Sequence, residues 1–593
     1  MADSVSGGNS PGQPPKDMSM EMRLLLAFLL MGAVMFVTPY FLKTPATPAV
    51  KKAPAAAGAV TTSPASTASK ASTAAGAPGE ATPASAPAPE SGEKAAAVAV
   101  PGATPQHEEP PVIIDTNLFR VVLSNQGGTV RSWLLKKYKG NDGKTLDLVN
   151  TAAGQDFPFS LHFPGTQPTA KVNWADYTQT VDPDGLGVTY AFSDGHTSVR
   201  KVFRFQKNSY LSHVSTEASV DGKPVPNLIE WRGGFGDLTL PTAAVTEHTL
   251  YFDITNNKLL ESSAHAAKNG PVTATGNYSF AGIADTYFAA VVLPPPDAGA
   301  MEVVTFADTV RSPLEEKPAA YTGAAMGEVS GAGNHFELFV GPKDLNMLSS
   351  INPKLAQLVD FGWFSILAKP LFLLVNWFDS AFIHNFGWSI VIITIAINLA
   401  LFPLKLSNMK SMRKMQALKP QVDAINDKYR GLKMTDPKKG QQQQEVMDLY
   451  KKYGVNPMGG CFPMLIQIPF FYAFYKVFTI SVEMRGASWL WVTDLSQPEH
   501  LAIHILPLIM IATQYYMQKM TPQGNVDPNQ QKMMMFMPLI FGFMFYNLSS
   551  GLVLYYLTSN LVGVGQQLFF NHTQAAIDAA RSVEPPKKKN GRK

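Results

Sequence analysis

The sequence predicts an α-helical membrane protein of six spans carrying a large β-sandwich on its outer side. Three observations predict it. Long charge-free intervals recur in the C-terminal part, about 230 residues ahead of them alternate with strand periodicity, and basic residues concentrate in two segments. Whole-chain averages hide this division. The 593 residues are 46% hydrophobic and 16% charged, below the roughly 25% charge of a soluble domain. Mean hydropathy is −0.01, too polar for a chain that is membrane throughout. A single cysteine excludes an intramolecular disulfide framework and a cysteine-based zinc site.

Residues 1–22 precede the first span, 23–42. Leu24 to Leu42 carries no charge between Arg23 and Lys43, long enough to cross a hydrocarbon core of roughly 30 Å. Thr38-Pro39-Tyr40-Phe41 offers no small-residue cleavage site, so the segment reads as a signal anchor. Residues 43–110 are Ala, Pro, Ser and Thr with few large apolar side chains. They cannot offset their ordering entropy by burial and read as a linker. Residues 111–341 read as strands: Leu118–Ser124 and Val199–Phe205 alternate with period two, and Asn125-Gln-Gly-Gly-Thr129 supplies a turn. Short strands with Gly, Pro and Asp turns imply an antiparallel sandwich in which helix is a minority.

Residues 342–384 read as an amphipathic segment lying along the interface, with charges on its margins. Beyond it, residues 385–570 hold the remaining spans. Asn385–Leu404, Tyr453–Tyr475 and Leu501–Gln518 are charge-free, and Met533–Ile577 is charge-free over 45 residues. That last interval would make a helix of about 67 Å, right for two crossings, with Asn547-Leu-Ser-Ser-Gly551 as the turn. Between the spans, 405–458 carries 12 Lys+Arg against 5 Asp+Glu, a net of +7, and the tail 571–593 carries 6 against 2, a net of +4. The chain's net +4 is therefore +11 in these segments and −7 elsewhere. The positive-inside rule assigns both to the cytoplasm, with both termini, and puts the sandwich outside. Met412, Met415, Leu418, Val422, Ile425 and Tyr429 trace the seam of a short coiled-coil helix, broken at Gly431–Gly440 and returned by Val446, Leu449 and Tyr453. The segment 405–458 thus reads as a basic helical hairpin.

No enzymatic motif emerges. Gly143-Lys144-Thr145 lacks the earlier glycine of a phosphate-binding loop, whose position is Tyr138, and H-E-x-x-H does not occur. No cofactor is expected. The spans instead carry uncharged polar residues: Thr394 and Asn398, Gln467, Gln514 with Tyr515 and Tyr516, and Tyr555, Tyr556, Thr558, Asn560, Gln566 and Gln567. Each costs free energy facing lipid. Any one of them serves equally as interhelical glue or as the lining of a wet cavity; several helices contributing together favour the cavity. Methionine, 25 residues in all, clusters at Met533–Met535, Met537 and Met544 and along the hairpin, as suits a surface receiving many apolar partners. The pattern points to binding polypeptide without turnover; a secondary transporter or channel is the alternative, but no internal repeat or intramembrane carboxylate supports it.

Val455-Asn-Pro-Met-Gly-Gly-Cys-Phe-Pro-Met-Leu-Ile-Gln-Ile-Pro469-Phe470 resembles the signature of the YidC membrane protein insertases. So do Ser550-Gly-Leu-Val-Leu-Tyr-Tyr-Leu-Thr-Ser-Asn560-Leu, Asp527-Pro-Asn-Gln-Gln-Lys-Met, Phe536-Met-Pro538 and Val359-Asp-Phe-Gly-Trp363 with Lys369-Pro-Leu-Phe. The resemblance is strong over about residues 340–570. It is weaker in the outer domain, and the anchor and linker match the Gram-negative form in organisation only. It implies a five-helix insertase core around a hydrophilic groove and a β-supersandwich periplasmic domain. It also implies a groove that binds nascent transmembrane segments and releases them into the inner membrane, alone or with the Sec translocon and its accessory proteins. The hairpin and tail are candidates for ribosome contact, and the lipid bilayer is the medium. By position, the substrate groove falls on Thr394, Gln467, Ile468, Pro469, Phe471, Phe474, Asn547 and Tyr556. The family's groove arginine should fall at Asn398. Lys476 is the first candidate to replace its charge, and Lys405 at the inner rim the second.

Overall fold

The computed structural model describes residues 104, 107–150, 154–165, 167–240, 243–311, 318–329, 333–362, 364–431, 436, 438–455, 462–520 and 528–583. The anchor 23–42, nearly all of the linker, the hairpin tip at 432–435, Asn456–Cys461 and the last ten residues lie outside them.

The β region is all antiparallel and divides into three sheets. Val112–Asp115, Phe119–Ser124, Thr129–Lys139 and Thr145–Asp147 form a four-stranded meander. The largest sheet has ten strands. It runs from Lys258–Ser262 through His248–Asp253, Tyr278–Ala284, Phe288–Leu293, Asn334–Pro342, Leu211–Val220, Thr197–Phe205 and Gly187–Ser193 to Thr178–Val181, with Lys223–Pro224 beside Leu211–Val220. A five-stranded sheet runs Val272–Gly276, Met301–Val310, Ala319–Glu328, Leu228–Trp231, Ser160–His162. The large and five-stranded sheets are joined by hydrogen bonds from Thr249 to the Gly323 carbonyl and from Thr322 to the Glu247 carbonyl.

Alternation builds this core. Thr197–Phe205 buries every second side chain, and Phe119, Trp133, Phe159, Phe203 and Phe205 meet as an aromatic cluster with ring centres 5.3–6.4 Å apart. The expected turn at 125–129 is present. Gly127 takes φ +70°, and a Cβ there would lie 2.3 Å from the Asn173 carbonyl oxygen, so both conformation and close approach require glycine.

From Leu345 the chain is helical. The helices are α1 (Leu345–Ile351), α2 (Ser365–Phe378), α3 (Phe386–Ala400), α4 (Phe402–Ala417), α5 (Lys419–Lys428), α6 (Lys438–Lys452), α7 (Phe462–Ile480), α8 (Ile505–Met520), α9 (Pro528–Phe545) and α10 (Ser550–Val583). One apolar core continues from the sandwich through Leu345, Leu348 and Leu355 into α2, α3, α7, α8 and α10. Among the described residues, Ser365–Ile383 is by length and composition able to cross a membrane. The pair Phe386–Ala400 and Phe402–Ala417, bent by 56°, qualifies as one broken span.

Three expectations change in detail. The segment 342–384 contains α2 and a wide turn over Asp379–Ile383, and it exposes Ile366, Leu373, Trp377 and Phe382 while burying Ala368, Leu371, Phe372 and Val375. Its exposed face therefore mixes Ser365 and Lys369 with large apolar side chains. The hairpin seam is not one helix: α4 ends at Ala417 and α5 starts at Lys419, because Pro420 at the first turn cannot continue the preceding ladder. Its core nonetheless forms, with Met415, Leu418 and Val422 buried against Tyr450 and Val455. Finally, α10 runs through Val583, so the expected tail begins as helix.

Candidate functional site

The helix α3 buries Gly387, Ile390, Thr394 and Asn398, one stripe at three- and four-residue spacing, and that stripe packs on α10. Thr394 and Ser389 are fully buried. Thr394 Oγ1 donates to the Ile390 carbonyl at 2.6 Å, which keeps its hydroxyl satisfied within its own helix.

Asn398 is the hub of a polar cluster at the end of α3. Its Nδ2 donates to the Thr394 carbonyl at 2.8 Å and to Ser559 Oγ on α10 at 3.2 Å. Its backbone carbonyl is one of the last four of α3, which have no partner within the helix. Gln566 of α10 supplies that partner, donating from Nε2 at 3.0 Å. The Asn398 side-chain oxygen accepts from Lys405 Nζ at 2.6 Å. Lys405 lies on α4, seven residues on. The bend at Leu401-Phe402-Pro403 turns α4 so that this side chain reaches back to the end of α3, where a cation also complements the helix dipole. Buried side-chain atoms without a protein partner lie nearby: Gln566 Oε1 and Asn560 Nδ2 on α10.

A second cluster joins α7 to α10. Gln467 Nε2 donates to the Tyr555 hydroxyl at 2.7 Å, and Phe474, fully buried, stacks on the Tyr555 ring at 4.2 Å. Tyr556 turns the other way, toward Phe545 of α9 at 5.0 Å, and Phe545 in turn meets Phe471 of α7 at 5.5 Å. Adjacent tyrosines of α10 thus face α7 and α9 separately. α7 packs chiefly on α2, and α9 on α8, so among the described residues α7 and α9 are not packing partners along their length. Ile468 and Pro469 are half-buried on α7. Pro469 lacks an N–H and leaves the carbonyl four residues earlier without its helical partner.

Two expected site residues stand apart. Lys476 lies near the C-terminal end of α7. A Cβ on Gly362 would sit 3.2 Å from its Cε and 3.7 Å from its Nζ, and Lys343 is a charged neighbour. It is not brought to Asn398; the cation that is brought there is Lys405. Asn547 is exposed in the turn after α9. Ser559 was missed from the sequence, although Tyr555, Ser559 and Gln566 at i, i+4 and i+11 share one face of α10 and signal it. Outside the bundle, burial and secondly Asp344 push the Glu483 carboxyl up to about 7. Among the described residues no cluster of His, Cys, Asp and Glu could hold a metal ion.

Two family descriptions match the chain: "60Kd inner membrane protein" over residues 377–577 and "YidC periplasmic domain" over 111–374. A membrane protein insertase YidC of Geotalea daltonii is 32% identical over 484 residues, covering 78% of this chain and 87% of the relative. That of Geobacter metallireducens is 31% identical over 585 residues, covering 94% of this chain and all of the relative. A crystal structure of an active YidC insertase with its first transmembrane domain resolved aligns over 78% of this chain and 94% of its own, at 21% identity and TM-score 0.35.

Proposed function

The chain belongs to the YidC family of membrane protein insertases, inner-membrane proteins with a periplasmic domain, and is a membrane protein insertase and not an enzyme; from that premise we propose how its groove works. There are six spans, the first assigned to 23–42 and the other five making up the insertase core, with both termini in the cytoplasm and the β-supersandwich in the periplasm. The polar stripe of α3 and α10 lines a hydrophilic groove reached from the cytoplasm, and a nascent transmembrane segment passes between α7 and α9. Gln467, Ile468, Pro469, Phe471 and Phe474 form one wall; Tyr556 faces the other. Thr394 and Asn398 line the polar floor, and Asn547 and Lys476 mark the outer rim.

The observation that carries this reading is the Asn398 cluster. Its amides and hydroxyls come from α3 and α10 and are buried, with acceptor and donor atoms left over, and Lys405 joins them from α4. A charge at the bilayer centre costs about 2.5–3.5 kcal/mol on insertion scales. A notch of such groups reaching into the bilayer shortens the apolar path for a substrate's polar tail. Partition of the substrate's own apolar helix into lipid then drives release, and no nucleotide is needed.

The positive charge follows from Lys405. Asn398 occupies the position where the family's arginine is expected, and Lys405 Nζ bonded to its side-chain oxygen supplies the cation from the next helix. An acidic substrate tail would pair with Lys405, which Asn398 holds inward. The Sec translocon, its accessory proteins and the ribosome are proposed partners, the last through the basic hairpin and tail.

In cells depleted of their own insertase, this chain should restore insertion of one- and two-span proteins. Lys405→Gln should lower insertion of a substrate with an acidic tail about tenfold, or ~1.4 kcal/mol, and leave a neutral-tailed one unchanged. Equal loss for both tails would remove the charge from the mechanism.

A further inference from the structure

The loop 481–500, between α7 and α8, holds the outer ends of the bundle together. Three helices begin on this side; the loop caps two of them and holds the capping residue of the third. At α3, the capping residue Asn385 accepts from Trp388 N–H and donates from Nδ2 to the Ser488 carbonyl at 3.1 Å. Trp489 packs so closely on the first turn of α3 that a Cβ on Gly387 would meet its ring at 2.3 Å. At α8, Glu499 Oε2 accepts from Leu506 N–H at 2.9 Å while its other oxygen accepts from Trp491 Nε1. At α10, the N–H groups of Ser550 and Gly551 donate to the Gln497 and Leu495 carbonyls, both at 2.8 Å. These are N–H groups that a helix start leaves without partners.

The same loop is pinned to the outer sandwich through one side chain. Arg485, five residues beyond α7, inserts its guanidinium into the sandwich. There its Nη2 pairs with Asp237 and donates to the Lys139 carbonyl at 2.8 Å, beside the rings of Tyr287 and Phe288. The Arg485 side chain is 5% exposed and that of Asp237 is wholly buried. The socket is preformed: Asp237 Oδ1 accepts from both the N–H and the hydroxyl of Thr239, and Asp237 N–H donates to Asp285. That arrangement leaves Oδ2 for the arginine.

We propose that Arg485 is a positioning residue, which anchors the loop 481–500 in the sandwich and thereby fixes the outer ends of α3, α7, α8 and α10. The sandwich is then the fixed body against which the outer end of the bundle is held shut, and a carboxylate buried at Asp237 is uncompensated whenever the arginine leaves. The consequence for insertion rests on the groove reading above; the coupling itself does not.

Hydrogen exchange of the full chain in lipid nanodiscs tests it. In Arg485→Ala, amides of the loop and of the first turns of α3, α8 and α10 should exchange at least tenfold faster, with the strands Thr197–Phe205 and Leu211–Val220 unchanged. Arg485→Lys, which keeps a cation in the socket, should recover at least half of that protection on a logarithmic scale. Asp237→Asn, which keeps the socket's shape and its Thr239 bonds, should reproduce the loosening and serves where Arg485→Ala does not assemble. First turns within twofold of the wild type would overturn the proposal, as would Arg485→Lys as loose as Arg485→Ala. Insertion should fall at least threefold in the loosened variants. Undiminished insertion would overturn the positioning role, while crosslinks from groove residues to a substrate would still leave the groove reading standing.

Discussion

The sandwich and the helical bundle bury polar groups in opposite ways. The sandwich buries ionisable groups among its neutral ones, and Lys201 and Asp308 are locked by their partners. Lys201 is wholly buried and donates to the Gly127 and Phe159 carbonyls at 2.6 and 2.7 Å, and burial pushes its amine down to about 7. Arg232 grips Asp308 through two nitrogens, and Gly233 N–H donates to the same carboxylate at 2.9 Å. In the bundle, α3, α7, α8 and α9 contain no Asp or Glu. Their buried polar groups are amides and hydroxyls, joined by one lysine entering from the rim. Fixed charges make a rigid body, since an unpaired buried charge is costly. Neutral amides exchange partners cheaply and suit a surface that receives a different guest each time.

The comparison can be broken where it is strongest. Asp308→Ala strands Arg232 and should cost the sandwich about 3–5 kcal/mol, read as a lowered outer-domain transition in denaturant with bundle helicity retained. A loss under about 1 kcal/mol would show that the charges are not locking anything. In the bundle, Asn398→Leu strips partners from Ser559 and Lys405, while Gln566 keeps the backbone carbonyl, and should cost about 2 kcal/mol, within the usual cost of stranded polar groups. Asn398→Arg with Lys405→Gln, which returns the cation to α3, should recover the insertion of acidic-tailed substrates that Lys405→Gln alone loses.

Glu483 sharpens the boundary between the two regions. Burial raises its carboxyl to about 7, from an ordinary 4.5, among Asp344, Tyr138 and Arg485. The folded state therefore binds the proton more tightly than the unfolded one. Its contribution is most favourable below about 4.5 and is lost as pH rises through about 7. Between pH 5 and 8 the junction should weaken by on the order of 1–2 kcal/mol, allowing for partial exposure, and Glu483→Gln should flatten that slope in thermal unfolding. The smallest effect is at Gln467. Gln467→Leu leaves the Tyr555 hydroxyl without its partner and should cost about 1 kcal/mol with the fold intact.

What was legible in the sequence was local. Alternation marked Thr197–Phe205 and Phe119–Ser124, two adjacent glycines marked the turn after Ser124, and a 45-residue apolar interval split at Asn547–Gly551, where α9 gives way to α10. Family motifs led to Gln467 and Asn398 together with their helices. What was not legible depends on how distant elements meet. The pairing of Asn334–Pro342 with Leu211–Val220 spans more than a hundred residues, and no period encodes it. Arg485 looks like any loop arginine until Asp237 is folded beside it. Lys405 counts by sequence as a rim charge, and only the bend at Pro403 returns its amine to Asn398. The same holds for Lys476, whose distance from Asn398 is set by the direction of α7 and not by its apolar context.

Substrate should pass the Asn398–Lys405 cluster and the Phe471 face, and not Lys476. Photoreactive residues at 398, 405, 471 and 476, tested one at a time against a stalled nascent membrane protein, measure this directly. Crosslinks from 398, 405 and 471 with little from 476 are the predicted result. Crosslinks from 476 without 398 and 405, or from none of the four, would contradict it.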